Sequence, residues 1–244
     1  MNTVYENAGQ GQEYRGRVPE NIENEGLPGG EFPQGNTGSQ QEPSVSVWEE
    51  LKASPVTDIL VLANVCVWVI LEIIGDTTSA RFIYECGGMW PDSVRYDGEY
   101  WRLITCTFLH FGANHLVNNM LLLFFLGREA ERAVGHFRYL FIYLLSGVTG
   151  SLTSYAVMVR TGDEAVAAGA SGAIFGLMGA LVIVLLVSKG RYERFTMKRL
   201  ALMVGLSLYF GFVNGGVDNA GHVGGLCGGA IFTFLVTVHG ALAP

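Results

Sequence analysis

Residues 169–188 read GASGAIFGLMGALVIVLLVS, an uncharged run that opens on small residues and closes on aliphatic ones. At about 1.5 Å of rise per residue, twenty such residues cross the roughly 30 Å hydrocarbon core of a bilayer as a helix. Five other apolar stretches share the chain with it, at approximately 56–75, 108–126, 137–158, 200–213 and 220–239. The stretch at 200–213 is short, and those at 108–126 and 220–239 carry several polar residues. The pattern predicts an all-α polytopic membrane protein with six transmembrane helices.

Composition agrees. Half of the residues are hydrophobic and 15% are charged, against about 25% charged in soluble domains. A mean hydropathy of +0.33 and 33 glycines point the same way, because glycine is more frequent in membrane helices than in soluble ones. The net charge of −7 gives no basic footprint for nucleic acid. Segment 1–52 is polar. Its first part, to about residue 43, is rich in Gly, Glu, Asn and Gln and cannot bury enough surface to offset its ordering entropy. We expect a disordered cytoplasmic tail over 1–52, with Val45, Val47, Trp48 and Leu51 forming a short interfacial helix, and a membrane domain over 53–244. The start has no basic region followed by an apolar core, so a cleaved signal peptide is not expected. Cys66, Cys86, Cys106 and Cys227 form no C-x-x-C pair and read as small buried hydrophobes rather than metal ligands.

Arginine and lysine in the loops set the orientation. Arg128, Arg132 and Arg138 follow the second stretch, and Lys189, Arg191, Arg194, Lys198 and Arg199 follow the fourth. The loop after the third stretch has only Arg160, and the loop after the fifth has none. Both termini are therefore expected in the cytoplasm. Segment 76–100 carries Phe82, Tyr84, Trp90, Tyr96 and Tyr100, with Trp101 just beyond. Such aromatics favour the membrane–water interface, so this first loop reads as interfacial, with an ordinary extracellular loop as the other reading.

Polar residues at membrane depth are costly, so each needs a partner or a task. Three sets stand out: His110, His115 and Asn119 in the second stretch, Ser171 opening the fourth, and His222 opening the sixth. All three lie toward the same, outer side. Ser171 sits between Gly169-Ala170 and Gly172 at a helix start, where free backbone N–H groups and the helix dipole favour an anion. A hydroxyl needs a base to become a nucleophile, and His222 is the candidate. Gly221, Gly225 and Gly229 recur every four residues, while Gly172, Gly176 and Gly179 recur at four and three. Small residues at that spacing let membrane helices approach closely, which would bring Ser171 and His222 together. Phe175 shares the face of Ser171 and could support the imidazole. His115 and Asn119, four apart and on one face, can donate to an oxyanion or hydrogen-bond neighbouring helices. Asn118 points about 100° away from Asn119. Asp218 lies four residues before His222 but reads as a loop residue, so a Ser–His dyad is expected.

In order, Trp101-Arg102, His115 to Asn119 with His110 upstream, Glu131 to Gly135, Gly169 to Gly172, and His222 with Gly225 and Gly229 resemble the rhomboid family of intramembrane proteases. The resemblance implies a six-helix rhomboid fold and a serine protease that cleaves peptide bonds in or near transmembrane segments of other membrane proteins. It implies catalytic Ser171 and His222, an oxyanion hole from His115, Asn119 and the Ser171 backbone, and support from His110, Gly169, Gly172, Phe175, Gly225 and Gly229. It also implies work within the lipid bilayer, opening to the outer face, with no metal or organic cofactor. A bacterial plasma membrane is the expected location. The alternative is a catalytically silent rhomboid-like protein that only binds membrane helices. A small transporter would require inverted repeats and broken helices in corresponding halves, and neither is visible in the sequence.

Overall fold

The computed structural model describes residues 54–189, 196–214 and 216–238. The polar tail, the segment around Trp48 and the last residues of the sixth stretch lie outside them. All six apolar stretches contain a helix. Helix α1 is Pro55–Ile74, and its proline stands in the first turn, where an N–H would have no intrahelical partner. The first loop holds two short helices, α2 (Ala80–Glu85) and α3 (Pro91–Arg95), followed by α4 (Arg102–Thr105) and a 3₁₀ turn at Cys106–Phe108. Helix α5 (Gly112–Leu122) runs through a π-helical turn at Leu123–Gly127 into α6 (Arg128–Val134). Then come α7 (His136–Thr161), α8 (Ser171–Val187), α9 (Met197–Asn214) and α10 (Asn219–Val238).

By length and composition, α1, α7 and residues Asn219–Thr237 of α10 can each cross a bilayer alone. The pair Arg102–Phe108 and Gly112–Val134, bent by 90°, makes a fourth if counted together, and the apolar α8 is shorter. The second helix starts at Gly112 rather than near residue 108. Leu109 is extended (φ −100°, ψ 148°) and Gly112 takes φ +69°, a left-handed turn that favours glycine.

Outward faces are apolar: Ile59, Leu62, Ile70, Ile73 and Ile74 of α1 are exposed, as are Phe125 and Phe141. Inside, Tyr139, Ile142 and Tyr143 of α7 and Leu177, Met178 and Leu181 of α8 are fully buried. This is a polytopic membrane fold whose lipid-facing side is as hydrophobic as its core. The cysteines follow from that. Only Cys106 is buried, while Cys66 and Cys227 lie on outward faces of α1 and α10. The expectation that they are all buried is thus corrected: lipid accepts a small apolar thiol as readily as the interior does.

Two polar devices organise the fold. Glu131, fully buried, accepts hydrogen bonds from the backbone N–H of Val56 (3.0 Å) and Thr57 (2.8 Å), from Thr57 Oγ1 (2.7 Å), and meets His136 Nδ1 at 2.6 Å. It thereby caps the start of α1 from α6, where Ser54 makes no side-chain cap. Gly135, four residues on, has φ +83° and lets the chain turn into α7. In the first loop, buried Arg102 donates to the carbonyls of Tyr84 (2.6 Å) and Gly88 (2.9 Å) and pairs with Glu99 (2.5 Å). Its guanidinium lies over the rings of Tyr84 and Trp101. The loop is a packed structure with Tyr96, Tyr100 and Trp101 exposed on its outside. Among the described residues the only β-type pairing is an antiparallel bridge between Met89 and Ala167.

Candidate active site

Glycines bring α7, α8 and α10 together. A side chain at Gly225 would collide with the Gly172 carbonyl, and one at Gly229 with the Gly176 carbonyl. The Cβ of a residue replacing Gly150 would stand 2.9 Å from the Gly221 carbonyl oxygen. The facing glycines of α8 and α10 were legible in the chain; the contribution of α7 was not. Yet Ser146, Gly150 and Ser154 recur every four residues there, and that spacing is the signal which could have found it.

Ser171 is the first residue of α8. The turn before it is held from two sides: Gly169 N–H donates to the Cys106 carbonyl (2.9 Å), and Ala170 N–H donates to His110 Nε2 (3.4 Å). Gly169 adopts φ +141°. A Cβ there would lie 3.0 Å from His115 Nε2, 2.9 Å from its Cε1 and 3.7 Å from Ser171 Oγ. Only a glycine allows the backbone to pass between those two side chains. The Met89–Ala167 bridge ties the same segment to the first loop, with N–H···O distances of 2.9 and 2.8 Å.

His222 sits in the first turn of α10, where its ring stacks on Phe175 at 4.2 Å between centroids and 9° between planes. Its Nδ1 is buried and has no hydrogen-bond partner among the described residues. Asp218 turns its carboxylate to the backbone instead: Oδ1 accepts from Gly221 N–H at 2.8 Å. It caps α10 and makes no hydrogen bond to the imidazole. Phe111 N–H donates to His115 Nδ1 at 3.4 Å, so neutral His115 carries its proton on Nε2, the nitrogen that faces Gly169. Asn119 gives one amide hydrogen to the His115 carbonyl (3.1 Å), and its second has no acceptor among the described residues. His110 packs edge-on to His115 at 5.3 Å.

A cavity of about 1080 Å³ collects Ser171, His222, Phe175, His115 and Asn119 along one wall system. No hydrogen bond joins Ser171 to His222 among the described residues. Free enzymes often hold such pairs loosely until substrate binds. His110, Gly169, Gly172, Gly225 and Gly229 are not among the residues that line this cavity.

The Rhomboid domain family model matches residues 97–239. The chain is 35% identical over 190 residues to Rhomboid protease GluP of Bacillus subtilis, covering 78% of this chain and 36% of that one. It is 30% identical over 233 residues to RHOMBOID-like protein 7 of Arabidopsis thaliana, covering 84% and 71%. It is 33% identical over 153 residues to Putative rhomboid protease YdcA of Bacillus subtilis, covering 60% and 75%. The chain thus spans little more than a third of the first of these relatives.

Proposed function

The chain belongs to the rhomboid family, and from that premise we propose that it is an intramembrane serine endopeptidase working through a Ser171–His222 dyad. The observation that carries this reading is the shared cavity, where the serine at the start of α8 and the histidine stacked on Phe175 open onto one space. The bacterial relatives' names, which include the word protease, support it.

In this reading His222 Nε2 takes the proton of Ser171 Oγ as the oxygen attacks a substrate carbonyl, because Nδ1 is the buried nitrogen. The tetrahedral oxyanion is met by the Ser171 backbone N–H, by His115 Nε2–H and by the spare Asn119 amide hydrogen. His222 then hands the proton to the leaving amine, and water, activated the same way, frees the acyl-enzyme. Gly169 and His110 shape the turn that aims the donors. Phe175 fixes the plane of the base, and Gly172, Gly225 and Gly229 set the distance between α8 and α10. Substrates are transmembrane proteins within the lipid bilayer, and the space between α5 and α9 is their way in. The domain is residues 53–244, with the N-terminus in the cytoplasm of a bacterial cell and the cavity open to the outer face.

The test is cleavage of a model transmembrane substrate in liposomes by wild type and by Ser171→Ala. We expect product from the first and a loss on the order of 10⁶ for the second. Cleavage by both would require another nucleophile. Cleavage by neither, with the fold intact and several substrates tried, would favour the silent helix-binding reading.

A further inference from the structure

Asn118 has no part in the chemistry above, yet its position is costly. It is exposed on α5 between Val117 and Asn119, within a membrane-spanning segment, and forms no hydrogen bond among the described residues. A polar side chain on a membrane-spanning helix is costly unless water or a polar partner meets it. It follows His115 by three residues, so it lies on the same side of the helix and roughly 4.5 Å further along the axis. The large cavity passes from Ser171 and His222 to Asn118, and Ser207 of α9 lines it as well. Helix α9 packs on α8 and α10, whereas α5 packs on α1 and α8. The two polar side chains therefore come from helices on different sides of the opening, with Leu121 and Leu122 as the apolar lining beside them.

We propose that Asn118, aided by Ser207, is a specificity subsite that hydrogen-bonds an amide group of the substrate's transmembrane segment on the membrane-interior side of the scissile bond. The carboxamide offers a donor pair and an acceptor, which match another amide better than any hydrocarbon. Such an amide can be an Asn or Gln side chain, or the backbone freed where a helix is broken. The proposal rests on the protease reading of Ser171 and His222.

The experiment uses the full chain in liposomes and three matched substrates. At one position about a turn interior to the cleavage point they carry Leu, Asn, or a Gly-Pro pair. Wild type should prefer the Asn or the Gly-Pro substrate over Leu by about fivefold in kcat/KM, the discrimination that a single interhelical hydrogen bond supports. Asn118→Leu should bring that ratio to about one, and Asn118→Gln should retain part of it. Preference for Asn alone identifies the side-chain amide, and preference for Gly-Pro alone identifies freed backbone. An equal ratio in wild type and Asn118→Leu overturns the subsite. So does a uniform loss across all three substrates, which would make Asn118 a structural residue. Should wild type cleave nothing, the protease reading falls, and binding of the same segments to Ser171→Ala still decides. A preference read by fluorescence quenching and erased in Asn118→Leu/Ser171→Ala upholds the subsite; its absence ends it.

Discussion

At the residue scale, the site's chemistry depends on where lone pairs and protons are sent. Asp218 is the instructive case. It lies four residues before His222, but its carboxylate accepts from Gly221 N–H. In a serine triad, replacing the aspartate by asparagine lowers kcat by about 10⁴ because the histidine tautomer goes wrong. An asparagine at 218 keeps an oxygen for the Gly221 N–H. Asp218→Asn is therefore expected to cut kcat by less than about tenfold, and steady-state cleavage kinetics in detergent or liposomes would check it. A fall of several thousandfold would restore the triad. Gly169 teaches the complementary point: a residue with no side chain is fixed by what its neighbours leave free, here the imidazole of His115 and the hydroxyl of Ser171.

At the element scale, α8 and α10 touch backbone to backbone, and two kinds of glycine can be told apart. Gly225 faces the Gly172 carbonyl with no room for a methyl group, whereas no described residue lies within 4 Å of a Cβ on Gly205 of α9. Gly225→Val should separate the two helices, lower thermal stability by about 1–3 kcal/mol or more, and abolish cleavage. Gly205→Ala should leave stability unchanged or raise it by up to about 1 kcal/mol, since alanine is the better helix former. Thermal unfolding of the purified protein in detergent measures both. The Glu131 cap shows that a spaced E-x-x-x-G pattern can serve the fold alone: it satisfies the start of α1 and turns the chain into α7.

At the scale of the whole molecule, the loops decide which way the bundle faces. Basic residues cluster after the second and fourth apolar stretches and are sparse after the third and fifth. Exposed Glu164 stands in the loop between α7 and α8, and Lys189 follows α8. In a chain freed of its four cysteines, Glu164→Cys should react with a membrane-impermeant maleimide added outside intact cells. Lys189→Cys should react only after the membrane is opened. The reverse labelling would invert the orientation and put the cavity on the cytoplasmic side.

Much of this protein was written in the order of its residues. Membrane helices announce themselves because every backbone polar group in hydrocarbon must be satisfied within its own segment, so long apolar runs mean helices wherever they occur. The candidate dyad and the glycine face were likewise local: Ser171 and His222 are polar interruptions at helix starts, and the glycines repeat at helical spacing. What the chain order could not contain were decisions made by residues far apart. The Gly150 contact with Gly221, the Ala170 bond to His110, the clamp of Arg102 on the first loop and the Met89–Ala167 bridge each join separate segments. The outward positions of Cys66 and Cys227 are hidden from the sequence for a related reason. Lipid is as apolar as the core, so hydrophobicity marks a helix without marking its inner face, and only packing chooses which side is buried.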